Sequence, residues 1–457
     1  MEKQNLLFAS GDYPAVFMAG YFTQSDQMRL GASGLLIPLN GLIEEYADNI
    51  KAAFAESPYV ENMATALDGN IYALPGIEEC VHCFTSQKIY LNVKWLEKLG
   101  LSMPETTEDL YEVLTAFRDN DPNGNGIKDE IPLTAGVGGW NANPIFMLMC
   151  SFINATEGQP LSVNKGVVDI AANKPEWREG LRYVKRLYSE GLLDSESFTH
   201  DWDSMAGIAD NPDIVIMGGI INGCCIPSPD DTNRFAEYEV VPPLKGPTGY
   251  RSTGATPFLG DHCKFAITKK ATEEQKVAAI RIVDYFYSQE GAISSMYGPK
   301  GIGWVDADPG SLGSDGKPAI YKSTEPSQRE DKRPVNWETD LKYMNAVTFN
   351  GRQQEQDITI FAGYETYLAK MNERIIDFVP DEVFPDVVWF PQEEAQRLAQ
   401  FKTDIVNHIL INSAQFVVGG LDIDNDSQWN AYVTGFDGLG LAEFLAANQK
   451  AYDSLPK

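Results

Sequence analysis

Apolar residues with helical spacing are the clearest local signal in the chain. Apolar side chains at positions 110, 113, 114 and 117 fall at i, i+3, i+4 and i+7, which places them on one helical face. Just before them, Thr106-Thr-Glu-Asp109 resembles a capping box with Asp in place of the usual Glu. We therefore predict a helix that begins after Thr106 and buries Leu110, Val113, Leu114 and Phe117.

The same spacing recurs in the second half of the chain. A helix is predicted to open at Thr272-Glu-Glu-Gln275 and to bury Ala279, Ile282, Val283 and Phe286. Another helix is predicted from the apolar stripe of Leu398, Phe401, Ile405 and Ile409.

Shorter apolar runs with strand-like composition lie between such helices. Residues 81–91 are predicted as a strand, and residues 92–100 as a short helix that Gly100 closes. Strands that alternate with amphipathic helices are typical of α/β folds, so all-α and all-β folds are poor interpretations.

Length and charge narrow the class of protein. The chain has 457 residues, more than one ordinary core needs, so two lobes or one lobe with large insertions are expected. Acidic residues outnumber basic ones by 65 to 36, and the net charge is −29. Because such a surface repels phosphate groups, binding of nucleic acid or of an anionic membrane surface is a poor interpretation.

Two further stretches bear on where the protein works. The longest wholly apolar run, residues 145–150, is far shorter than the roughly 20 residues that span a bilayer, so no transmembrane helix is expected. The first five residues contain no basic segment followed by an apolar one, and they predict no signal peptide.

Six cysteines in a chain of this length are not typical of a disulfide scaffold. Cys80-Val-His-Cys83 has the spacing of half a zinc site or of a redox pair, but no second CxxC follows. In the predicted strand, side chains three positions apart face opposite sides. Free structural thiols are therefore expected at Cys80 and Cys83, with the zinc or redox role as the alternative.

The one strong local motif is an oxygen-rich loop directly after the helix that is predicted to begin after Thr106. Oxygen-bearing side chains stand at alternate positions, and Gly126 allows a sharp turn. Ca²⁺ takes about six to eight hard oxygen ligands, which this spacing wraps around one point. An EF-hand would need Glu where Pro132 stands, so we predict a structural calcium site between a helix and a strand, with a solvated Asn/Gly turn as the alternative. The expected ligands are Asp121, Asn123, Asn125, the carbonyl of Ile127, Asp129 and Glu130.

Tryptophans divide into two groups by local pattern. Trp95, Trp177 and Trp429 sit within helical patterns and are predicted in the core. The others lie on irregular segments, and rings on loops beside polar groups commonly hold sugars, because the rings cover apolar C–H faces. Although core packing is the alternative for each ring, we predict a ligand cleft containing Trp140, Trp202, Trp304, Trp337 and Trp389, with Asp12 and Asp203.

Common catalytic motifs do not occur in the sequence. It has no P-loop, no GxSxG, no HExxH and no GxGxxG after a strand, so we assign no catalytic residues. One alternative is a polysaccharide lyase or glycoside hydrolase with an acidic aromatic cleft, which would need two carboxylates flanking the bond. Another is a calcium-dependent cell-surface scaffold, which would predict a duplicated calcium loop.

Besides the calcium loop, the chain contains a series of stretches that carry a family resemblance: residues 6–14, 34–43, 68–75, 95–101, 187–193, 284–291 and 419–424. In this order they resemble family 1 extracellular solute-binding proteins of carbohydrate ABC transporters. The similarity is greatest to the lipoprotein and alginate-oligosaccharide-binding branch.

The resemblance implies an α/β fold of the class II periplasmic-binding-protein type, with two lobes, an interlobe cleft and crossing hinge strands. Polar, Pro/Gly-rich connectors at residues 306–317 and 323–334 are long enough to be lobe crossings. Together with them, the resemblance predicts an N-terminal lobe of residues 1–130 plus 262–330, whose first strand–helix–strand unit is expected upstream of this chain. The C-terminal lobe is predicted to comprise residues 131–261 plus 331–457. The resemblance also implies calcium in the loop described above.

The implied function is capture of an oligosaccharide for an ABC importer, without a catalytic step. Expected partners are the sugar and the permease subunits but no nucleic acid, and the expected state is a monomer. The resemblance implies an extracellular location, as a cell-surface lipoprotein or a secreted protein. The acidic chain favours neutral sugars unless Arg251 or Lys264 lines the cleft.

Overall fold

The computed structural model describes residues 2–455, apart from 212, 226–233, 256–261, 325–340, 346–347, 349–350 and 386. Its helices, in chain order, are α1 (Glu2–Ser10), α2 (Gln24–Ala32), α3 (Asn40–Tyr46), α4 (Asp48–Glu56), α5 (Pro58–Ala64), α6 (Val81–Phe84), α7 (Val93–Leu99), α8 (Thr107–Asp119), α9 (Pro144–Met149), α10 (Pro175–Ser189), α11 (Trp202–Ala209), α12 (Glu273–Tyr287), α13 (Gln289–Tyr297), α14 (Tyr364–Asn372), α15 (Gln392–Val418), α16 (Asp426–Gly438) and α17 (Leu441–Asp453).

The strands are short and distributed among several small sheets. They are β1 (Val16–Phe17), β2 (Phe22–Thr23), β3 (Ala73–Leu74), β4 (Ile77–Glu78), β5 (Ile89–Asn92), β6 (Leu161–Asn164), β7 (Val167–Ile170), β8 (Gly219–Ile221), β9 (Tyr238–Val240), β10 (His262–Cys263), β11 (Phe265–Ile267), β12 (Trp304–Asp306), β13 (Tyr321–Ser323) and β14 (Tyr343–Met344). Two three-stranded antiparallel sheets, in the orders β1-β11-β3 and β8-β5-β9, anchor the two largest hydrophobic cores.

The helix signals in the sequence are largely confirmed. Thr106 and Asp109 form the capping box of α8, whose four predicted apolar residues are buried. Asn92 caps α7, and Gly100 ends it in the left-handed conformation at φ 67°. Trp95, Trp177 and Trp429 are buried as predicted.

The buried face of α12 differs from the predicted one. Thr272 and Gln275 form the expected capping box, and Ala279 and Val283 are buried. Ile282, however, is 50% exposed, while its neighbour Ile280 is fully buried. Helix α12 packs against α3 and α4. Its buried face runs from Ala279 to Tyr287, and the Tyr287 hydroxyl donates to the Pro75 carbonyl at 2.5 Å.

On α15, Leu398, Ile405 and Ile409 are buried as predicted, and Phe401 is partly buried. No helix in the described part of the chain combines the length and the apolar character that a membrane crossing requires.

The predicted strand over residues 81–91 is wrong in its first half. Residues 81–84 form the helical turn α6, and only β5 is extended. A helical turn places positions three apart on one side, and Cys80 and Cys83 are joined by a disulfide bond. The expectation of free thiols at these two positions is therefore wrong, because it depended on the strand.

The division into cores also differs from the predicted lobe boundary at residue 130. The first core combines apolar residues from 8–77 and 263–287 with Leu341 and Tyr343. The second core combines residues 89–193 with residues 384–444. Because β5 pairs with both β8 and β9, and α7 and α8 follow it, residues 89–117 lie in the second core.

Two smaller cores lie beside the large ones. The third core includes Tyr90, Phe235 and Tyr367, and the fourth includes Trp304 and Tyr321. Residues 79–88 are therefore the first passage of the chain from the first core to the second.

A matched pair of substitutions tests the corrected face of α12. Ile280→Ala should lower the free energy of unfolding by about 2–5 kcal/mol, because it leaves a cavity in the first core. Ile282→Ala on the same helix should change it by about 0.5 kcal/mol or less, since that side chain is half exposed. Urea unfolding measures both values, and equal losses would contradict this orientation of α12.

Candidate functional site

A run of buried polar residues, 85–88, connects the first core to the second. Thr85 donates a hydrogen bond to Asn372 of α14, and Ser86 accepts one from Asn141 at 2.6 Å. The Gln87 side chain donates to the Ala155 carbonyl at 3.2 Å and accepts the Glu157 N–H at 2.7 Å.

Lys88 completes this polar run inside the protein. Its ammonium group donates to the carbonyls of His82 at 2.5 Å and Gly223 at 3.1 Å. Burial lowers the pKa of Lys88 to about 7, so its ammonium group loses a proton more readily than that of an exposed lysine. Residues 85–88 thus hold α14 and the loops at Asn141, 155–157 and Gly223 around the passage between the two cores.

Glycines at 136, 138 and 139 allow two loops to approach each other closely. The Gly138 N–H donates to the His200 carbonyl at 3.0 Å, and a Cβ at Gly138 would lie 3.0 Å from the Cα of Asp201. These contacts bring the loop with Trp140 beside the start of α11. Trp140 and Trp202 are 39% and 40% exposed, and Asp203 is exposed as well.

A cavity of about 500 Å³ opens beside these loops. Val137 and Phe198 come from the two loops, and α15 supplies the opposite apolar wall. Its polar groups come from Asn143, Thr156, Glu157 and Gln159. This combination of apolar walls and a few polar groups is typical of small-molecule sites.

Glu157 is the ionisable group of this cavity. Its carboxylate accepts the Asn143 N–H at 3.1 Å, and burial raises its pKa to about 7. At neutral pH the carboxyl group therefore occurs in both forms and can either donate to or accept from a hydroxyl group.

A second cavity, of about 200 Å³, lies where the two large cores meet. Thr23, Gln24 and Ser25, at the start of α2, form one side of it. Side chains on the second-core side include Phe384, Phe390, Lys402 and Phe444. The Gln24 Nε2 atom is buried without a hydrogen-bond partner, and Gln159 lines both cavities. Together the cavities offer a polar and aromatic surface to which both cores contribute.

The remaining predicted ligand residues lie elsewhere. Trp304 is 3% exposed in the fourth core, and its indole N–H donates to the Ser294 hydroxyl at 3.2 Å. Trp389 donates to the Asn62 carbonyl at 2.9 Å and packs against the first core. Asp12 is exposed near the end of α1, and Trp337 lies outside the described residues.

Sequence reasoning missed the residues that line the cavities. Phe390 follows Trp389 by one position and faces the other side of the segment. Glu157 and Gln159 belong to a polar loop of residues 156–159 that contains Gly158 at φ 77° and lies shortly after the longest apolar run. That change from apolar to polar residues was the available signal. Arg251, considered for an anionic ligand, lies over the Phe378 ring at 4.3 Å.

The oxygen-rich loop is wrapped around the Asp121 carboxylate. This carboxylate accepts the N–H groups of Gly124 at 2.8 Å, Asn125 at 3.1 Å and Gly126 at 3.0 Å. Asn123 and Asn125 each donate to Asp129 at 2.8 Å.

Glu130 supplies the test of whether a cation fits this loop. Its Oε1 atom is buried without a hydrogen-bond partner. Burial, followed by the charges of Asp121 and Asp129, raises the pKa of Glu130. Three carboxylates and an unpartnered acceptor are what a hard divalent cation would stabilise, so the residues present fit Ca²⁺.

Comparison with known proteins agrees with this architecture. Residues 1–293 match the family model of bacterial extracellular solute-binding proteins. The fructooligosaccharide ABC transporter substrate-binding protein FusA of Streptococcus pneumoniae is 29% identical to the chain over 468 residues, covering 99% of this chain and 82% of FusA.

Solved structures of S. pneumoniae FusA are similar over the whole chain. The complex with kestose has a TM-score of 0.74 at 27% identity, covering 99% of this chain and 90% of that one. An EF-hand mutant in complex with fructo-nystose has a TM-score of 0.77 at 26% identity, with the same coverage.

These relatives are substrate-binding proteins rather than enzymes, which removes the polysaccharide-degrading alternative. The family match covers well over half of the chain, and the structural similarity extends from end to end. The chain belongs to the bacterial extracellular solute-binding protein family and has its two-lobed fold.

Proposed function

We propose that this protein captures a neutral oligosaccharide between its lobes and delivers it to the permease subunits of an ABC importer. The observation that carries the proposal is the cavity at the start of α2, to which both large cores contribute side chains. A ligand held there would contact both lobes at once, as capture by hinge closure requires. We propose an extracellular location, as a lipoprotein or a secreted protein, which the family description and the similarity to a lipoprotein support. That the protein acts as a monomer stays a prediction.

Chemistry and charge indicate the ligand class. Phe390 and Phe444 offer apolar surface, and Gln24, Gln159 and Glu157 offer hydrogen bonds to hydroxyl groups. A net charge of −29 disfavours anionic sugars. Since the similar FusA structures hold kestose and fructo-nystose, neutral fructooligosaccharides are the first class to test.

The predicted loop residues extend this proposed site. Trp140, on an exposed loop, and Trp202 and Asp203, in the first turn of α11, lie beside the larger cavity and would contact a longer ligand. Trp337 and Asp12 stay predictions. We assign the passage between lobes to residues 79–88 and place residues 89–119 in the C-terminal lobe, following the cores.

Isothermal titration of the full chain with kestose, nystose and an alginate trisaccharide tests the function. We expect saturable binding of the neutral sugars, weaker binding of the anionic one, and no cleavage products by chromatography. Binding confined to the anionic sugar would contradict the proposed ligand class, and release of shorter sugars would contradict a binding role.

A substitution at Glu157 tests the position of the site. Glu157→Ala should weaken binding of the best glycan about 5- to 150-fold, equivalent to about 1–3 kcal/mol, because a buried hydrogen-bond partner is lost. Glu176→Ala, on the exposed first turn of α10, is the matched control. Circular dichroism confirms folding of both variants, and equal affinities would place the site elsewhere while leaving the measured glycan binding intact.

We also propose that the loop of residues 121–130 binds one structural Ca²⁺ through Asp121, Asn123, Asn125, Ile127, Asp129 and Glu130. The unpartnered Glu130 oxygen and the convergence of three carboxylates support it. The side chain of Ile127 is 61% exposed, which agrees with a role for its carbonyl alone. Calcium would offset the repulsion among the carboxylates and hold the end of α8 to the segment of residues 131–134, which forms isolated bridges with residues 217 and 220.

Calcium removal should lower the melting temperature without abolishing glycan binding. A cation that binds only the folded state stabilises it by about 2.7 kcal/mol at 100 times its dissociation constant. Asp121→Ala should remove the difference between melts in excess calcium and in EGTA, whereas Asp119→Ala, adjacent but paired with Arg118, should retain it. Identical wild-type melts in both buffers would rule out the structural role.

A further inference from the structure

A compact group of potential metal ligands lies on α6, apart from both cavities and the calcium loop. The side chains of Cys80, His82 and Cys83 present sulfur and nitrogen atoms within 4.8 Å of one another. Cys80 and His82 are buried, and Cys83 is partly exposed. The two sulfurs are joined in the structure, so the oxidised chain offers no thiolate there.

Glu365 fixes the orientation of the histidine ring. Its Oε2 atom lies 3.0 Å from the Nε2 atom of His82, while the Nδ1 atom lies 3.8 Å from the Cys83 sulfur. A carboxylate accepts only, so this contact favours the proton on Nε2 and leaves the Nδ1 lone pair directed toward the sulfurs. Histidine ligands of metals are oriented in this way, by a carboxylate on the nitrogen opposite the metal.

We propose that reduction of the Cys80–Cys83 disulfide converts α6 into a binding site for one Zn²⁺ ion. Its ligands would be the sulfurs of Cys80 and Cys83 and the Nδ1 atom of His82, with water in the fourth position on the partly exposed Cys83 side. Two sulfurs and one imidazole nitrogen are a donor set that zinc prefers.

Reduction needs a two-electron donor such as a dithiol. The dithiol supplies two electrons and two protons, the Cys80–Cys83 S–S bond breaks to give two thiols, and the two sulfurs of the dithiol join in a cyclic disulfide. Zn²⁺ then displaces the two protons from Cys80 and Cys83. Two thiolates cancel the charge of the ion, which makes the loaded site neutral and compatible with its burial.

The position of this site links the passage between the cores to α14. Helix α6 lies between β4 and β5, in the first passage between the large cores, and Glu365 belongs to α14. The contact of Glu365 with a zinc-bound His82 would therefore fasten the crossing to α14, whose Tyr367 and Leu368 lie in the third core.

The test uses the full chain reduced with dithiothreitol, freed of reductant under argon and kept in excess calcium to occupy the calcium loop. Titration with Co²⁺, a spectroscopic substitute for Zn²⁺, should produce a thiolate-to-metal absorption band that saturates at about one ion per chain. Zn²⁺ should then bleach the band and raise the melting temperature. The unreduced chain should show no band.

Variants separate this site from other thiols. Cys83→Ser should abolish the band, and Cys263→Ala, which removes a buried free thiol of the first core, should retain it. Glu365→Gln, which keeps both sulfurs, should weaken zinc binding about 10- to 100-fold through loss of ring orientation. Circular dichroism checks the fold of each variant.

Three outcomes would overturn the proposal. These are a reduced wild type without the band, a Cys83→Ser variant that keeps it, and a Glu365→Gln variant with unchanged zinc affinity. Each can be read from the absorption titration independently of any glycan, so the result does not depend on the proposed transport function.

Discussion

The structure depends on how residues 85–88 pass from one core to the other while their polar side chains remain buried. Each side chain is satisfied by a different part of the protein: α14, the loop at Asn141, the loop at 155–157, and the His82 and Gly223 carbonyls. An unsatisfied buried polar group costs about 1–3 kcal/mol. The crossing can therefore form only when these neighbours are in place, and it holds the loops around the larger cavity in fixed positions.

A second segment, residues 387–390, contacts both large cores, because its successive side chains pack alternately against one core and the other. Val387 and Trp389 pack against the first core, whereas Val388 and Phe390 pack against the second. Side chains of an extended segment point alternately to opposite sides, so one short stretch contacts both cores. Any separation of the two cores would break one set of these contacts, because the segment cannot follow both cores. The wall of the smaller cavity is thus also part of what holds the lobes together.

Local features could be predicted from the sequence, and features set by long-range packing could not. The capping boxes of α8 and α12 and the oxygen-rich loop depend on neighbouring residues, which the sequence shows directly. Trp304 was expected on an irregular segment, but α13 supplies Ser294 as a partner for its indole N–H. Trp389 packs against the first core while its neighbours Val388 and Phe390 line the smaller cavity, and only tertiary contacts decide which parity faces the cavity. The passage at residues 79–88 was missed because β5 finds its partners more than 120 residues later along the chain.

The oxygen-rich loop influences the position of the Trp140 loop, because it sets the backbone pairing register of the segment between them. Directly after Glu130, the Ile131 N–H donates to the Ile216 carbonyl at 2.8 Å, and the Thr134 N–H donates to the Gly219 carbonyl at 2.9 Å. This extended stretch leads into Gly136 and Gly138, where the loop that carries Trp140 closely approaches His200 and Asp201. A slip of one residue in such a stretch would turn every side chain to the opposite face. Because the loop fixes Asp129 and Glu130, it also fixes the start of this register. A structural cation there would therefore act on the position of Trp140 through the backbone alone.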